Sequence, residues 1–198
     1  DVGREKIEKA FAFIFGAQKA LVRNQISSGT QAIASVLFGI LRPGDILLSV
    51  TGKPYDTLSR TIGIDYEDDM GSLRDFGVGY REVNFNSEGE IDYETIRNSL
   101  TDKVKVVFIQ KSKGYSQRKD ILIKDIEEIV NFVRGINKDV IVMVDNCYGE
   151  FTQTNEPCHV GADVIAGSLI KNPGGGLCLT GGYIAGREDL VERAASRL

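Results

Sequence analysis

Five apolar residues in succession, Val140 to Val144, run straight into Asp145. A strand that is apolar without alternation must be covered on both faces, which puts it in the middle of a sheet flanked by helices. The same reading fits Lys105 to Gln110, where Val106, Val107, Phe108 and Ile109 are contiguous, and the shorter runs Ile46 to Val50 and Val164 to Ser168. Helical patterns lie between them. Ala32 to Leu41 is closed by Arg42-Pro43-Gly44-Asp45, and Thr51 to Asp56 opens another helix. Ile91 to Leu100 carries Asp92 and Glu94 near its start, and Ile123 to Ile136 has apolar residues at 126, 129, 130 and 133. Alternating strands and helices predict parallel strands joined by right-handed crossovers. Gly79 to Asn84 and Gly181 to Gly186 add strands, the latter turning into a final helix at 189–198. A first helix is expected with Ile7, Ala10, Phe11, Ile14 and Phe15 on one face.

No repeat or low-complexity segment divides the chain, so one domain over residues 1–198 is expected. It starts inside a helical pattern and stops in another with no terminator, which reads as part of a longer protein. The charged stretch Asp65 to Asp69 reads as a solvated loop.

A formal charge of -4, with lysines and arginines scattered, argues against a nucleic-acid or membrane-surface partner. No apolar run approaches the roughly 20 residues that cross a bilayer. Cys147, Cys158 and Cys178 form no Cys-x-x-Cys, and His159 stands alone, so no metal site is expected; these four read as ordinary core or loop residues. The reading is of a reduced, cytoplasmic protein.

Three places carry chemistry. Asp145 ends a central strand, where open α/β sheets bind ligands, and a carboxylate there needs a cation or several donors. Its ordinary explanation is a cap on the turn Asn146-Cys147-Tyr148-Gly149. Lys171 follows the apolar pair Leu169-Ile170 and precedes Asn172-Pro173-Gly174-Gly175-Gly176. If that pair is buried, the lysine enters a low-dielectric site, its pKa falls, and its amine becomes a nucleophile suited to a Schiff base. Its ordinary explanation is an exposed loop lysine. Ser28-Gly29-Thr30 opens a helix, whose N-terminus suits a phosphate, although plain capping by Ser28 or Thr30 explains the same residues. Pyridoxal 5'-phosphate needs all three: an amine for its aldehyde, a carboxylate for its ring nitrogen and a helix start for its phosphate.

The chain also resembles the large domain of fold-type-I pyridoxal-phosphate enzymes, in the cysteine/methionine metabolism group and its methionine gamma-lyase-like or aluminium resistance branch. The resemblance rests on Ser28-Gly29-Thr30-Gln31-Ala32-Ile33-Ala34, Leu41-Arg42-Pro43-Gly44-Asp45, Thr51-Gly52-Lys53-Pro54-Tyr55-Asp56-Thr57-Leu58, Val144 to Phe151 and Ala166 to Gly176. It implies an α/β fold of three layers with a mostly parallel central sheet. It implies that Lys171 forms the Schiff base, Asp145 pairs with the ring nitrogen, Gly29 and Thr30 hold the phosphate with Ser168 as a further ligand, and Ser28 belongs to the cofactor-binding set. Tyr55 falls where related enzymes stack an aromatic ring on the cofactor. Ser112 and Tyr115, after a strand end on the same rim, are placed to touch cofactor or substrate. Lys111 and Lys113 stand where the family has arginines, and Cys178-Leu179 where it tends to have Ala-Pro.

The implied activity is a carbon–sulfur lyase acting on a methionine- or cysteine-like amino acid in a homodimer or homotetramer, Lys171 serving also as general base. An aminotransferase, another β/γ-eliminating or replacing enzyme, or a stress-response protein with a vestigial site are the alternatives on this fold. A nucleotide-binding module is disfavoured by the missing Gly-x-Gly-x-x-Gly and phosphate-loop patterns.

Overall fold

The computed structural model describes residues 2–65, 70–114 and 116–198. Residues 66–69 of the expected charged loop, and Tyr115, lie outside the described residues.

Among the described residues seven strands form one sheet: β1 (Lys19–Arg23), β2 (Ile46–Ser49), β3 (Gly79–Glu82), β4 (Val104–Gln110), β5 (Ile141–Asp145), β6 (Val164–Ser168) and β7 (Gly182–Gly186), in the spatial order β1-β7-β6-β5-β4-β2-β3. β3, β2, β4, β5 and β6 run parallel, and β7 is antiparallel to both its neighbours, β6 and β1. The sheet is therefore mostly parallel, as expected, with a reversal that strand–helix alternation did not foretell. Its cause lies between β6 and β7, where the connection holds a short 3-10 turn, Asn172–Gly174, instead of a crossover helix long enough to bring the chain back parallel.

Side chains alternate across the sheet, and the two faces build two cores. On one face Phe108, Met143 and Ala166 pack under α2 (Gly29–Ile40), α3 (Asp56–Ile62) and α6 (Glu188–Ala195). On the other, Val107, Val142 and Ile165 pack under α1 (Val2–Phe15), α4 (Tyr93–Ser99) and α5 (Ile123–Ile136). Helices on both faces explain why the central strands carry unbroken apolar runs.

α5 spans the residues its periodicity predicts and buries Ile126, Ile129, Val130 and Val133. Because Ile129 is fully buried there, Ile129→Val is expected to lower unfolding stability by about 0.5–1.5 kcal/mol, read from the urea midpoint. α1 departs from expectation. Phe15 alone among its residues is buried, stacked on Tyr183 with ring centroids 4.9 Å apart, while Ile7 and Ile14 of the same apolar face stay exposed. β1 goes beyond the sequence reading. It is an edge strand flanked by Lys19 and Arg23, which pair with Glu188, Glu192 and Glu8. Among the described residues no helix is long and apolar enough to cross a membrane.

Candidate active site

The parallel strands β4, β5 and β6 end along one rim. Gln110 closes β4 opposite Asp145, which closes β5 opposite Ala166 of β6, and β6 continues to Ser168. Lys171 follows three residues later, its amide donating to Ser168 O at 3.3 Å. A carboxylate and a lysine far apart in sequence therefore reach the same edge by strand adjacency.

Asp145 is 2% exposed and shares its alternation with Met143, so it faces the α2 side. Its Oδ1 accepts the Cys147 amide at 3.1 Å. Burial pushes its carboxyl up to about 6, against the opposing pull of the Cys147 hydrogen bonds and the Lys171 charge. Asp145 thus lies within electrostatic reach of Lys171, in a setting that still penalises its ionised form.

Lys171 is half-buried rather than enclosed. Leu169 is partly buried, but Ile170 is 46% exposed, so the apolar wrapping expected from this pair does not form. The lysine instead meets Tyr148, whose hydroxyl accepts from Nζ and whose ring centroid lies 4.3 Å from it. Tyr148 adopts a left-handed backbone (φ 63°), a conformation rare for a bulky residue and held here by the tight turn after β5. That turn was legible; the tyrosine's role in it was not, because nothing in residue spacing announces a positive φ. After the lysine, Gly174 comes so close to the Leu169 carbonyl that any side chain would collide with it.

The start of α2 lies against this rim. A side chain at Gly29 would meet Cys147 Sγ at 2.9 Å and Ser168 Cβ at 3.3 Å. Only glycine lets the helix start come this near the ends of β5 and β6. The Ser28 hydroxyl caps the helix, accepting the Gln31 amide at 3.1 Å. The Gly29 and Thr30 amides belong to the same first turn, whose N–H groups have no partner within the helix. Thr30 Oγ1 lies 3.0 Å from Tyr55 Oη, and burial and the Asp145 charge raise the Tyr55 phenol well above its ordinary value. Ser168, buried, accepts the Ile170 amide at 3.3 Å.

Contacts therefore join Ser28, Gly29, Thr30, Tyr55, Asp145, Ser168 and Lys171 around one rim. Ser112 belongs to the rim by position, after β4, but its hydrogen bonds run elsewhere. Its carbonyl accepts from Gln110 Nε2 at 3.0 Å and Arg118 Nη2 at 2.6 Å. Arg118, which the sequence reading passed over, supplies a guanidinium close to where the resemblance lacked arginines. Gln110 was also missed; its Oε1 accepts the Tyr55 amide at 3.2 Å.

The donor set fits pyridoxal phosphate. A buried carboxyl short of a cation, an amine within reach of it, and a helix start that a glycine brings against both strand ends offer one partner to each polar part of that molecule.

The methionine gamma-lyase family model matches residues 1–198. The chain belongs to the methionine gamma-lyase family. It is 52% identical over its whole length to YnbB of Bacillus subtilis, covering 47% of that protein. It superposes with a TM-score of 0.97 on a Listeria monocytogenes structure described as a candidate cystathionine beta-lyase involved in aluminium resistance; identity is 53%, over all of this chain and 48% of that one. L-methionine gamma-lyase of Pseudomonas putida is 27% identical over 190 residues, 94% of this chain and 41% of the enzyme. The chain thus spans about half the length of the relatives it matches. Its membership of a lyase family of pyridoxal-phosphate fold type I agrees with the expected fold and resemblance.

Proposed function

We propose that this chain forms the cofactor-binding part of a pyridoxal 5'-phosphate-dependent carbon–sulfur lyase acting on a methionine- or cysteine-like amino acid. The observation that carries the proposal is the convergence of Asp145 and Lys171 on one rim, near enough for the lysine charge to act on the carboxyl.

In this reading Lys171 Nζ is the point of covalent attachment, and Asp145 holds a proton on the ring nitrogen. That added cation offsets the burial that otherwise disfavours the aspartate's charge. The Gly29 and Thr30 amides, the Thr30 hydroxyl and Ser168 receive the phosphate, with Ser28 fixing the helix start. Tyr55 covers the ring, anchored through its hydroxyl to Thr30. Ser112 lines the outer rim. When bound, the cofactor supplies an electron sink for the pair left at the substrate Cα. Lys171 Nζ takes the Cα proton, and Tyr148, in contact with that amine, orients it. Loss of the sulfur group as a thiol, with water consumed, leaves ammonia and a 2-oxo acid. Leu177 and Leu179, 90% and 96% exposed beyond the lysine loop, support association with a second copy, which light scattering on the full-length protein tests.

Full-length protein incubated with pyridoxal phosphate is expected to turn yellow, to fix the cofactor on the peptide containing Lys171 after borohydride reduction, and to release ammonia and a 2-oxo acid from a sulfur amino acid with no added acceptor. Product formed only when an acceptor keto acid is supplied would indicate an aminotransferase. Absence of the modified peptide would remove the enzymatic reading.

A further inference from the structure

Behind the turn that follows β5, on the α1 side of the sheet, lies a buried polar cluster that the proposed chemistry does not use. Asn146, Glu150, Glu156 and Tyr183 are all buried, Glu150 to 1% exposure. Tyr183 Oη donates to Glu150 Oε1 at 2.8 Å. Asn146 Nδ2 donates to Glu156 Oε2 at 2.9 Å and lies 3.4 Å from the same tyrosine oxygen. Glu156 Oε1 accepts the Phe151 amide at 2.7 Å. From the end of β4, Lys111 Nζ donates to Gly149 O at 2.7 Å. These bonds strap the turn to β7, to the segment ahead of Pro157 and to β4.

Among the described residues, two buried side-chain atoms have no hydrogen-bond partner, Asn146 Oδ1 and Glu150 Oε2, and both belong to this cluster. With Glu150 ionised both are acceptors, and two buried acceptors cannot satisfy each other. Turning the Asn146 amide over fails as a remedy, because it sets Oδ1 against Glu156 Oε2. Lys111 Nζ, which like Asn146 Oδ1 borders the position of a Gly149 side chain, is already engaged by Gly149 O and Thr152 Oγ1, whereas a proton on Glu150 turns one of the two unpartnered oxygens into a donor. We propose that Glu150 is a positioning residue that in its neutral form donates from Oε2 to Asn146 Oδ1, locking the turn that carries Asp145, Cys147 and Tyr148.

Charge balance agrees. The groups acting on Glu150 are Tyr183 from β7, Glu156 from the following segment, Asp145 and Cys147 at the end of β5, and Lys111 beyond β4. One basic group, Lys111, faces the two carboxyls Glu150 and Glu156, and burial works against its own charge, so a proton kept on one of the acids leaves the least unbalanced charge. Both Glu156 carboxyl oxygens already accept, from Asn146 Nδ2 and from the Phe151 amide. Burial, the largest influence, moves Glu150 up to about 7, with its own amide and the Tyr183 bond opposing.

The titration half of this proposal is independent of the cofactor; its consequence for the site rests on the function proposed above. In full-length protein labelled with carbon-13 at glutamate δ-carboxyls, one resonance is expected to titrate near 7, to contact Asn146 and Tyr183 side chains through space, and to vanish in Glu150→Gln. Affinity for pyridoxal phosphate is expected to weaken above that pH in the unmodified protein, to lose this break in Glu150→Gln, whose amide donates permanently, and to be weak at every pH in Glu150→Ala. If all glutamates titrate in the ordinary carboxylate range, or if Glu150→Gln binds as poorly as Glu150→Ala, the proposal is wrong. Should Glu150→Gln fail to fold, the titration of the unmodified protein still decides. A protein that binds no pyridoxal phosphate at any pH refutes the proposed function but leaves the titration to settle Glu150.

Discussion

In the full-length protein, Lys171→Ala is expected to abolish borohydride-fixable attachment of pyridoxal phosphate and to lower carbon–sulfur lyase turnover by about a hundred- to ten-thousand-fold, the usual contribution of a positioned proton carrier. Alanine removes both the attaching amine and the acceptor of the Cα proton, and the neighbours cannot substitute. Lys111, buried near the same rim, is committed to Gly149 O and Thr152 Oγ1. Lys53, in the segment ahead of α3, is paired with Asp65. The fold should survive, because Lys171 is half-buried and the glycine-rich loop keeps its own backbone bonds, Gly174 N to Lys171 O among them. Near-unchanged urea midpoints together with lost turnover are therefore the expected pair of results. Retained fixation of the cofactor in Lys171→Ala would assign the attachment to another amine.

Much of this arrangement could be read from residue order, and the parts that could not share a physical cause. Periodicity located α5 because an amphipathic helix repeats its burial every three or four residues. Asp145 stood out because an ionisable group at the end of an apolar strand needs a reason to be there. Lys171 stood out beside its glycines, yet the enclosure expected for it failed. Leu169 and Ile170 point to different environments, and two residues are too few to show a period. β1 escaped notice because its flanking Lys19 and Arg23, suited to an exposed edge, look polar in sequence. Tyr148, Gln110 and Arg118 act through backbone conformation or through contacts between segments distant in the chain, which spacing does not encode. Glu150 and Glu156 carry no signal in residue order, and only the three-dimensional packing buries them.

Asp145→Asn is expected to separate stability from binding. In the cofactor-free protein the Asp145 carboxyl has its pKa raised from 3.8 to about 6, chiefly by burial. At low pH the carboxyl is protonated in folded and unfolded chains alike and has no net effect. As pH rises through 3.8 the unfolded chain ionises freely while the folded one resists, so stability falls until the folded group also ionises near 6. A shift of this size corresponds to a loss of about 3 kcal/mol at neutral pH, one pKa unit being about 1.4 kcal/mol. Asparagine carries no charge to bury and keeps an oxygen for the Cys147 amide. Cofactor-free Asp145→Asn should therefore unfold at higher urea than the unmodified protein at neutral pH, with the difference vanishing toward pH 4. Binding should move the other way. A neutral amide cannot hold a cationic ring nitrogen, and loss of one partner from a buried charge pair typically costs about 2–5 kcal/mol, or some thirty- to several-thousand-fold in affinity. A variant that is stabler without pyridoxal phosphate and weaker toward it would identify Asp145 as a charge kept at the expense of the fold for the sake of a ligand. A variant destabilised at neutral pH, with unchanged affinity, would make Asp145 only a cap on the turn after β5.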